Sequence, residues 1–156
     1  MELNTKGRYA VTAMADLARF GDQGSLALPA IAERQQISLA YLEQLFLKLR
    51  RAGLVESARG RAGGYRLARP AAEIRVADVM AAVEEDTRMT RCGGEVSKAC
   101  LPGQRCLTHG LWDALGDHIQ SFLESVTLQE VIDGIPPSKK TVRAASVAMY
   151  LREQPE

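Results

Sequence analysis

The sequence predicts a mainly α fold with a small β-hairpin wing, in which a winged helix-turn-helix domain precedes a long dimerisation helix. Three observations lead to this prediction. Apolar positions recur at helical spacing through three stretches of the first 51 residues, two strand-like stretches flank a glycine-rich turn at residues 59–64, and one apolar stripe runs from Leu111 to Val126.

The composition is that of a soluble globular chain. Of the 156 residues, 46% are hydrophobic and 25% are charged, which permits a real core and favours one compact unit. No apolar run approaches the roughly 20 residues of a membrane helix, and the first residues lack the apolar stretch of a signal peptide. We therefore expect a cytoplasmic protein without membrane contact.

Three helices account for the N-terminal third. Helical spacing extends from Thr5 to Phe20, a proline in the first turn opens a short helix at 29–36, and spacing resumes from Leu39 to Arg51. Ser38 is placed to accept a hydrogen bond from the next turn as an N-cap, and Gly53 ends the helix. Two short helices joined by a tight turn have the spacing of a helix-turn-helix, with a plain helical hairpin as the alternative.

Two strands are expected next, at Leu54–Ala58 and Tyr65–Ala68, around a turn rich in glycine and arginine. Glycines allow the backbone to approach a surface closely, and an arginine at the tip suits a narrow minor groove. A helix-turn-helix followed by a basic hairpin favours DNA binding over a purely structural role.

The charge distribution supports this interpretation. Residues 1–70 hold 11 basic and 6 acidic side chains, whereas residues 71–156 hold 9 and 13. Between Leu47 and Pro70, seven basic residues face only Glu56 along the sequence. Such a block is typical of a surface that contacts a phosphate backbone, and a solvated basic face is the alternative.

Enzymatic function is not expected. The glycine-rich turn matches neither GxxxxGK[ST] nor GxGxxG, so it lacks both phosphate-loop geometries. The chain has no C-x-x-C pair and no evident Ser/His/Asp or paired-carboxylate arrangement, which argues against a thiol redox catalyst or a hydrolase.

All three cysteines and one of the two histidines lie within eighteen residues. Their pattern is C-x7-C-x5-C-x2-H, formed by Cys92, Cys100, Cys106 and His109 in a glycine-containing stretch without periodicity. Soft donors on such a loop can surround an inorganic centre. Zinc usually takes two close pairs of ligands and only one is present, iron–sulfur clusters accept wider spacings, and three unrelated thiols are the remaining alternative.

The C-terminal half is again helical. A helix is expected at Ile74–Glu85, and the stripe at Leu111–Val126 is long enough to pair with its copy in a second subunit or to pack on its own domain. Thr127 and Glu130 have the spacing of a capping box for a last short helix that ends at Gly134.

The expected organisation therefore has four parts. Residues 1–85 form the winged helix-turn-helix domain, 86–110 the cluster-binding loop, 111–134 the dimerisation helix with a short terminal helix, and 135–156 a flexible tail.

The chain resembles the IscR-type iron–sulfur-cluster regulators from Met1 to about Gly134. The stretches that carry the resemblance are Lys6-Gly7-Arg8-Tyr9-Ala10, the run from Ile37 to Phe46, the wing from Arg59 to Tyr65, and Cys106-Leu107-Thr108-His109-Gly110-Leu111-Trp112.

The resemblance implies a homodimeric bacterial transcription factor whose [2Fe-2S] cluster is held by Cys92, Cys100, Cys106 and His109. The loaded protein would repress cluster-assembly genes, with the assembly machinery as the cluster donor. The seven-residue gap between the first two cysteines also resembles related iron-responsive or nitric-oxide-sensing regulators, and a zinc-binding regulator of the same fold is a further alternative.

Carried over by position, the resemblance assigns DNA contacts to the third helix. Tyr41 and Gln44 would contact base edges of a double-stranded operator, and Glu43 would discriminate between classes of site.

The remaining implied contacts lie at the ends of this helix and on the wing. Arg51 would bind phosphate, Arg59 would enter the minor groove, and Ser38 belongs to the same contact set. Ala40 stands where the family often has serine, which leaves an apolar contact such as that with a thymine methyl.

Overall fold

The computed structural model describes residues 5–21, 24–58, 60, 63–85, 100–101 and 104–134. The helices in these ranges are α1 (Thr5–Phe20), α2 (Leu28–Gln35), α3 (Leu39–Arg51), α4 (Val76–Ala82), α5 (His109–Ser125) and α6 (Leu128–Asp133). One antiparallel hairpin follows α3, with strands β1 (Val55–Ala58) and β2 (Gly64–Leu67). The predicted mainly α fold with a hairpin wing is confirmed. Arg59, Cys92 and the tail 135–156, to which the sequence assigned roles, lie outside the described residues.

Helices α1 to α3 pack around one apolar core. The side chains that are fully buried there include Met14 and Leu17 of α1, Ile31 of α2, and Leu42, Phe46 and Leu49 of α3. The turn between α2 and α3 is short because Gln36 takes a left-handed conformation with φ 54°. Its close reversal sets α3 across α2 in the helix-turn-helix arrangement.

The start of α3 differs from the sequence expectation in one respect. Ser38 is the residue that precedes the helix, but its hydroxyl makes no capping hydrogen bond. The backbone carbonyl of Ser38 accepts from the N–H of Leu42 at 3.0 Å instead, so the helix begins on main-chain bonding alone. The exposed hydroxyl is left on the outer surface.

The wing is fastened to the helical core on one edge. The strands pair from Val55 opposite Leu67 to Ala58 opposite Gly64, so β1 begins one residue later than predicted and β2 lies one residue earlier than predicted. Leu26 pairs with Tyr65 of β2 in an antiparallel bridge outside the hairpin. Its N–H donates to the Tyr65 carbonyl at 2.8 Å, and its carbonyl accepts from the Tyr65 N–H at 2.7 Å.

The predicted helix at 74–85 is shorter than expected. A 3-10 turn occupies Ala71–Glu73, and α4 spans only Val76–Ala82. The reason is long-range pairing: Arg75 forms an antiparallel bridge with Thr127, in which the Val76 N–H donates to Val126 at 2.9 Å and the Leu128 N–H donates to Ile74 at 2.9 Å. Extended backbone at residues 74 and 75 excludes them from the helix.

The last two helices return to the core. Helix α5 packs on α4 through Leu123, and α6 packs on α1 through the fully buried Leu128. The predicted capping box is confirmed, since the Thr127 hydroxyl accepts from the Glu130 N–H at 3.2 Å and the Glu130 carboxylate accepts from the Thr127 N–H at 2.7 Å. Over the described ranges, none of the helices is long and apolar enough to cross a bilayer.

Candidate nucleic-acid interface and metal centre

The outer face of α3 is polar and open. Its inner side chains are buried in the core, whereas the side chains that face outward are exposed at positions Ala40, Glu43, Gln44, Leu47 and Arg51. Four of these five belong to the DNA-contact set that the sequence predicted. The structure therefore brings together a continuous strip of predicted contact residues along one helix.

Tyr41 lies at the edge of this strip and is half-buried. Its ring meets that of Tyr9 on α1 edge to face, with centroids 6.0 Å apart and an interplanar angle of 81°. The contact limits the rotamers of Tyr41. Sequence reasoning missed this supporting role of Tyr9, for which the only signal was an aromatic residue in the Lys6–Ala10 stretch.

Carboxylates neutralise part of the basic block at 47–70. Among its described residues there are three ion pairs, formed by Lys48 with Glu84, Arg66 with Glu56, and Arg69 with Asp78. The count along residues 47–70, which sets seven basic residues against Glu56 alone, therefore omits two carboxylates that α4 and the turn after it bring to the block. In the part of the chain that is described, Arg50 and Arg51 are exposed and form no ion pair.

Among the described residues of the block, the unpaired charge thus lies at the C-terminal end of α3, on Arg50 and Arg51. Arg66 is paired directly across the hairpin with Glu56, so its guanidinium group is less available to a phosphate than that of Arg51. Positive charge beside an open polar helix face is the arrangement that attracts a phosphate backbone.

Two of the predicted metal ligands are in direct contact. Cys100 Sγ lies 3.1 Å from His109 Nδ1, and His109, the first residue of α5, is only 5% exposed. The backbones of Leu101 and Gln104 bond to each other at 3.1 and 3.2 Å, which closes a tight turn after Cys100.

The third described ligand candidate, Cys106, lies beside this pair and is half-buried. The pKa of its thiol is lowered, first by the hydrogen bond between Sγ and the Thr108 hydroxyl at 3.7 Å and further by one with Cys100. A lowered pKa favours the thiolate, which is the form that binds metal. The N–H of His109 donates to the Cys106 carbonyl at 3.1 Å and holds the two residues together.

The donor set fits a metal centre. Two ligands of one tetrahedral metal lie about 3.6 Å apart when the bonds are about 2.3 Å to sulfur and 2.1 Å to nitrogen. The 3.1 Å between Cys100 Sγ and His109 Nδ1 requires only a small outward adjustment to meet this value. Among the residues whose positions are described, no three His, Cys, Asp or Glu side chains converge on one ion. A two-iron cluster is compatible with this arrangement, because each of its irons takes only two protein ligands.

The fold and the exposed helix face together define the class. A helix-turn-helix followed by a β-hairpin is the winged-helix architecture of DNA-binding transcription regulators. Residues 3–134 match the Rrf2 family, described as iron-dependent transcriptional regulators, and the chain belongs to this family.

Relatives with known names agree with this assignment. The IscR regulator of Photorhabdus laumondii is 53% identical over 133 residues, which cover 85% of this chain and 80% of the relative. Among solved structures, T. potens IscR is 36% identical with a TM-score of 0.70, covering 86% of this chain and 88% of its own. CymR, the global cysteine regulator of B. subtilis, is 33% identical with a TM-score of 0.71 and coverages of 85% and 97%.

These findings confirm two expectations. The predicted resemblance to IscR-type regulators is correct, and the relatives are transcription regulators rather than enzymes. The family is iron-dependent, which agrees with the presence of a donor set of thiols and imidazole.

Proposed function

We propose that the protein is a homodimeric regulator that binds a [2Fe-2S] cluster and, when loaded, represses the genes of cluster assembly. The observation that supports this most directly is the contact between Cys100 Sγ and His109 Nδ1 at the start of α5. Buried imidazole beside thiols, in an iron-dependent family, is a donor set suited to such a cluster. Its DNA target places its action in the cytoplasm.

The proposed ligands are Cys92, Cys100, Cys106 and His109. A bound [2Fe-2S] cluster would supply a redox-active and labile centre, with a potential raised by the histidine ligand. The turn closed by Leu101 and Gln104 holds Cys100 near His109, and the hydrogen bond with Thr108 lowers the pKa of the Cys106 thiol. We propose the cluster-assembly machinery as the donor of the cluster.

The proposed DNA contacts follow from the exposed face of α3. Tyr41 and Gln44 contact base edges in the major groove, Glu43 selects between site classes, and Arg51 binds phosphate.

Three further residues complete the proposed contact set. The exposed Ser38 and Ala40 lie at the N-terminal end of α3, where a recognition helix meets the bases. Arg59 of the wing enters the minor groove, where a narrow groove attracts a guanidinium.

The proposed dimer forms through α5. Leu123 and Gly116 of this helix are buried, whereas Leu111 is 63% exposed and Phe122 is 38% exposed on a neighbouring arc of the helix. The apolar surface of α5 is wider than the part that its own chain buries. The exposed remainder is buried most simply against the same surface of a second chain. The proposed ligand His109 then lies in the element that sets how two recognition helices are spaced, and Cys106 precedes it by three residues.

The test is an anaerobic purification from iron-replete cells, followed by metal and sulfide analysis and a visible spectrum. We expect about two irons and two acid-labile sulfides per chain. The His109→Ala variant should lose the iron and sulfide, whereas His118→Ala, an exposed histidine of the same helix, should keep both. Stoichiometric zinc without sulfide, or full cluster content in His109→Ala, would overturn the proposed cofactor site.

Repression is tested in the same preparations. The loaded protein should bind the promoter of a cluster-assembly operon more tightly than random DNA, and the cluster-free protein should show a different preference among sites. Equal binding of loaded protein to promoter and random DNA would contradict the proposed targets.

A further inference from the structure

The turn that ends α4 has an unusual residue at its key position. The Glu84 N–H donates to the Ala81 carbonyl at 3.0 Å and the Glu85 N–H donates to the Met80 carbonyl at 3.0 Å, which is the hydrogen-bond pattern of a Schellman motif. Glycine usually occupies the left-handed position of this motif, yet Glu84 holds it with φ 57°. A side chain in this backbone region persists where its surroundings hold it in place.

Three contacts hold the turn. The Glu84 carboxylate forms an ion pair with the ammonium group of Lys48 on α3, and the Glu84 carbonyl accepts from Lys6 Nζ at 2.7 Å. The neighbouring Glu85 carboxylate accepts from the Gly7 N–H, in the first turn of α1, at 3.1 Å. The turn therefore contacts both the recognition helix and the start of α1.

Lys48 lies on the flank of the proposed DNA-binding face. At 100° per residue, positions 44, 48 and 51 of α3 fall within an arc of about 60°. The long stem of Lys48 can carry its ammonium group either to Glu84 or towards a phosphate beside Gln44 and Arg51. The same cation cannot bind a carboxylate and a phosphate equally well at once.

The Lys48–Glu84 pair is open to solvent. Its two side chains are 37% and 76% exposed, and an exposed ion pair contributes little to stability. Removal of the Glu84 carboxylate therefore costs the fold little and leaves Lys48 free to bind a phosphate, whereas in the wild type a phosphate must compete with the carboxylate that the turn holds beside Lys48.

We propose that Glu84 competes with the DNA backbone for Lys48, so that the intact 84–85 turn withholds one phosphate-binding cation per chain. This inference rests on the proposed function, because it requires α3 to enter the DNA groove. The turn is followed directly in the sequence by residues 86–99, which contain Cys92. The turn that holds Glu84 therefore adjoins the proposed cluster segment in the sequence.

The test is the salt dependence of binding to random duplex DNA for Glu84→Gln, which keeps the size of the side chain and the backbone carbonyl that Lys6 binds. We expect the magnitude of the salt slope to rise by about 0.9 per chain, because each neutralised phosphate contributes that amount. If the variant and the wild type bind equally at 1 M salt, this slope difference makes the variant bind up to about eightfold more tightly per chain at 0.1 M salt.

Two controls separate this competition from a general change in charge. Glu73→Gln makes the same charge change at an exposed residue that forms no ion pair among the described residues, and should leave the slope unchanged. Lys48→Met should abolish the effect of Glu84→Gln in the double variant. Thermal melting of each variant verifies that the fold is intact.

The outcomes distinguish this inference from the proposed function. If the wild-type protein binds DNA but Glu84→Gln has the slope of Glu73→Gln, or raises the slope equally in the Lys48→Met background, the competition is overturned and DNA binding stands. Absence of DNA binding by the wild-type protein in the same titrations would overturn both.

Discussion

The buried carboxylate of Asp16 on α1 is held by the guanidinium group of Arg34 on α2. Arg34 donates through Nε to Oδ2 at 3.0 Å and through a terminal nitrogen to Oδ1 at 2.6 Å, and Gln35 donates to Oδ2 at 2.7 Å. The guanidinium carbon also lies 4.8 Å from the centroid of the Phe20 ring. These contacts fix α2 against α1 and thereby the position from which α3 begins.

Removal of this carboxylate should destabilise the fold. Asp16→Ala should lower the free energy of unfolding by about 1–3 kcal/mol, because hydrogen bonds to a charged, buried group are lost while Arg34, 35% exposed, can still reach water. Glu56→Gln, which breaks the exposed pair with Arg66, should cost about 0–1 kcal/mol. Urea denaturation measures both, and equal costs would contradict the importance of the buried pair.

Mutations should distinguish the residue of α3 that contacts bases from the residue that contacts phosphate. Gln44→Ala should cost about 1–3 kcal/mol at the preferred operator and little on random DNA, since an amide near the N-terminal end of α3 can bond a base edge. Arg51→Ala should weaken all sequences alike and reduce the magnitude of the salt slope by roughly one unit per chain. Titrations at several salt concentrations measure this. A uniform loss for both variants would refute the assignment of Gln44.

The wing should depend on a glycine that allows close backbone approach. A Cβ on Gly64 would lie 2.3 Å from the carbonyl oxygen of Leu26, so Gly64→Ala should break the Leu26–Tyr65 bridge at a cost of about 1–3 kcal/mol and weaken DNA binding. Gly110→Ala, whose Cβ meets nothing within 4 Å, should leave stability unchanged or raise it by up to about 0.5 kcal/mol. Thermal melting compares the two, and a harmless Gly64→Ala would disprove the tight contact.

The exposed arc of α5 should control the oligomeric state. Phe122→Ser should shift the protein towards monomer at micromolar concentration, because it removes an apolar ring from the proposed dimer face. Phe20→Ser, at a ring of similar exposure on α1, should leave the mass unchanged. Sedimentation equilibrium measures the mass, and a dimer that survives Phe122→Ser at all concentrations would place the interface elsewhere.

Acid should weaken the cap of α6. The N–H and hydroxyl of Thr127 donate to the Glu130 carboxylate, and these bonds lower the pKa of Glu130 below its usual value of 4.5. The unfolded chain therefore binds more protons at this site, so the stabilisation is present above about pH 4.5 and is lost as the pH falls through the folded pKa.

The Glu130→Gln variant tests this cap. Its free energy of unfolding should fall less steeply than that of the wild type as the pH drops below about 4.5, because the carboxylate whose pKa is lowered in the folded state is gone. Denaturant titrations across this pH range give the slopes. Parallel curves for wild type and Glu130→Gln would show that the cap does not contribute to acid sensitivity.

Local sequence patterns were sufficient for helices α1 and α3. The bounds Thr5–Phe20 and Leu39–Arg51 follow the sequence prediction because strong apolar periodicity and a following glycine act within a few residues. The same holds for the capping box at Thr127, where donor and acceptor are three residues apart.

Long-range contacts account for what the sequence did not reveal. The start of α4 was predicted wrongly because Arg75 pairs with Thr127, and no pattern near residue 75 signals a partner so far along the chain. The ion pair of Lys48 with Glu84 was missed for the same reason, so the basic block looked freer than it is. The closeness of Cys106 to His109 was predictable, because the two residues are three positions apart in the sequence.

The bridge between Arg75 and Thr127 anchors the C-terminal end of α5. This end is held by the backbone bonds of Val126 and by the buried Leu123, whereas the predicted cluster ligand His109 lies at the other end of the 17-residue helix. At 1.5 Å per residue α5 is about 25 Å long, so a tilt of about 10° about its C-terminal attachment displaces His109 by about 4 Å. Conversely, a force that acts on His109 is transmitted through the whole helix to this attachment, and from there to the DNA-binding domain at Arg75.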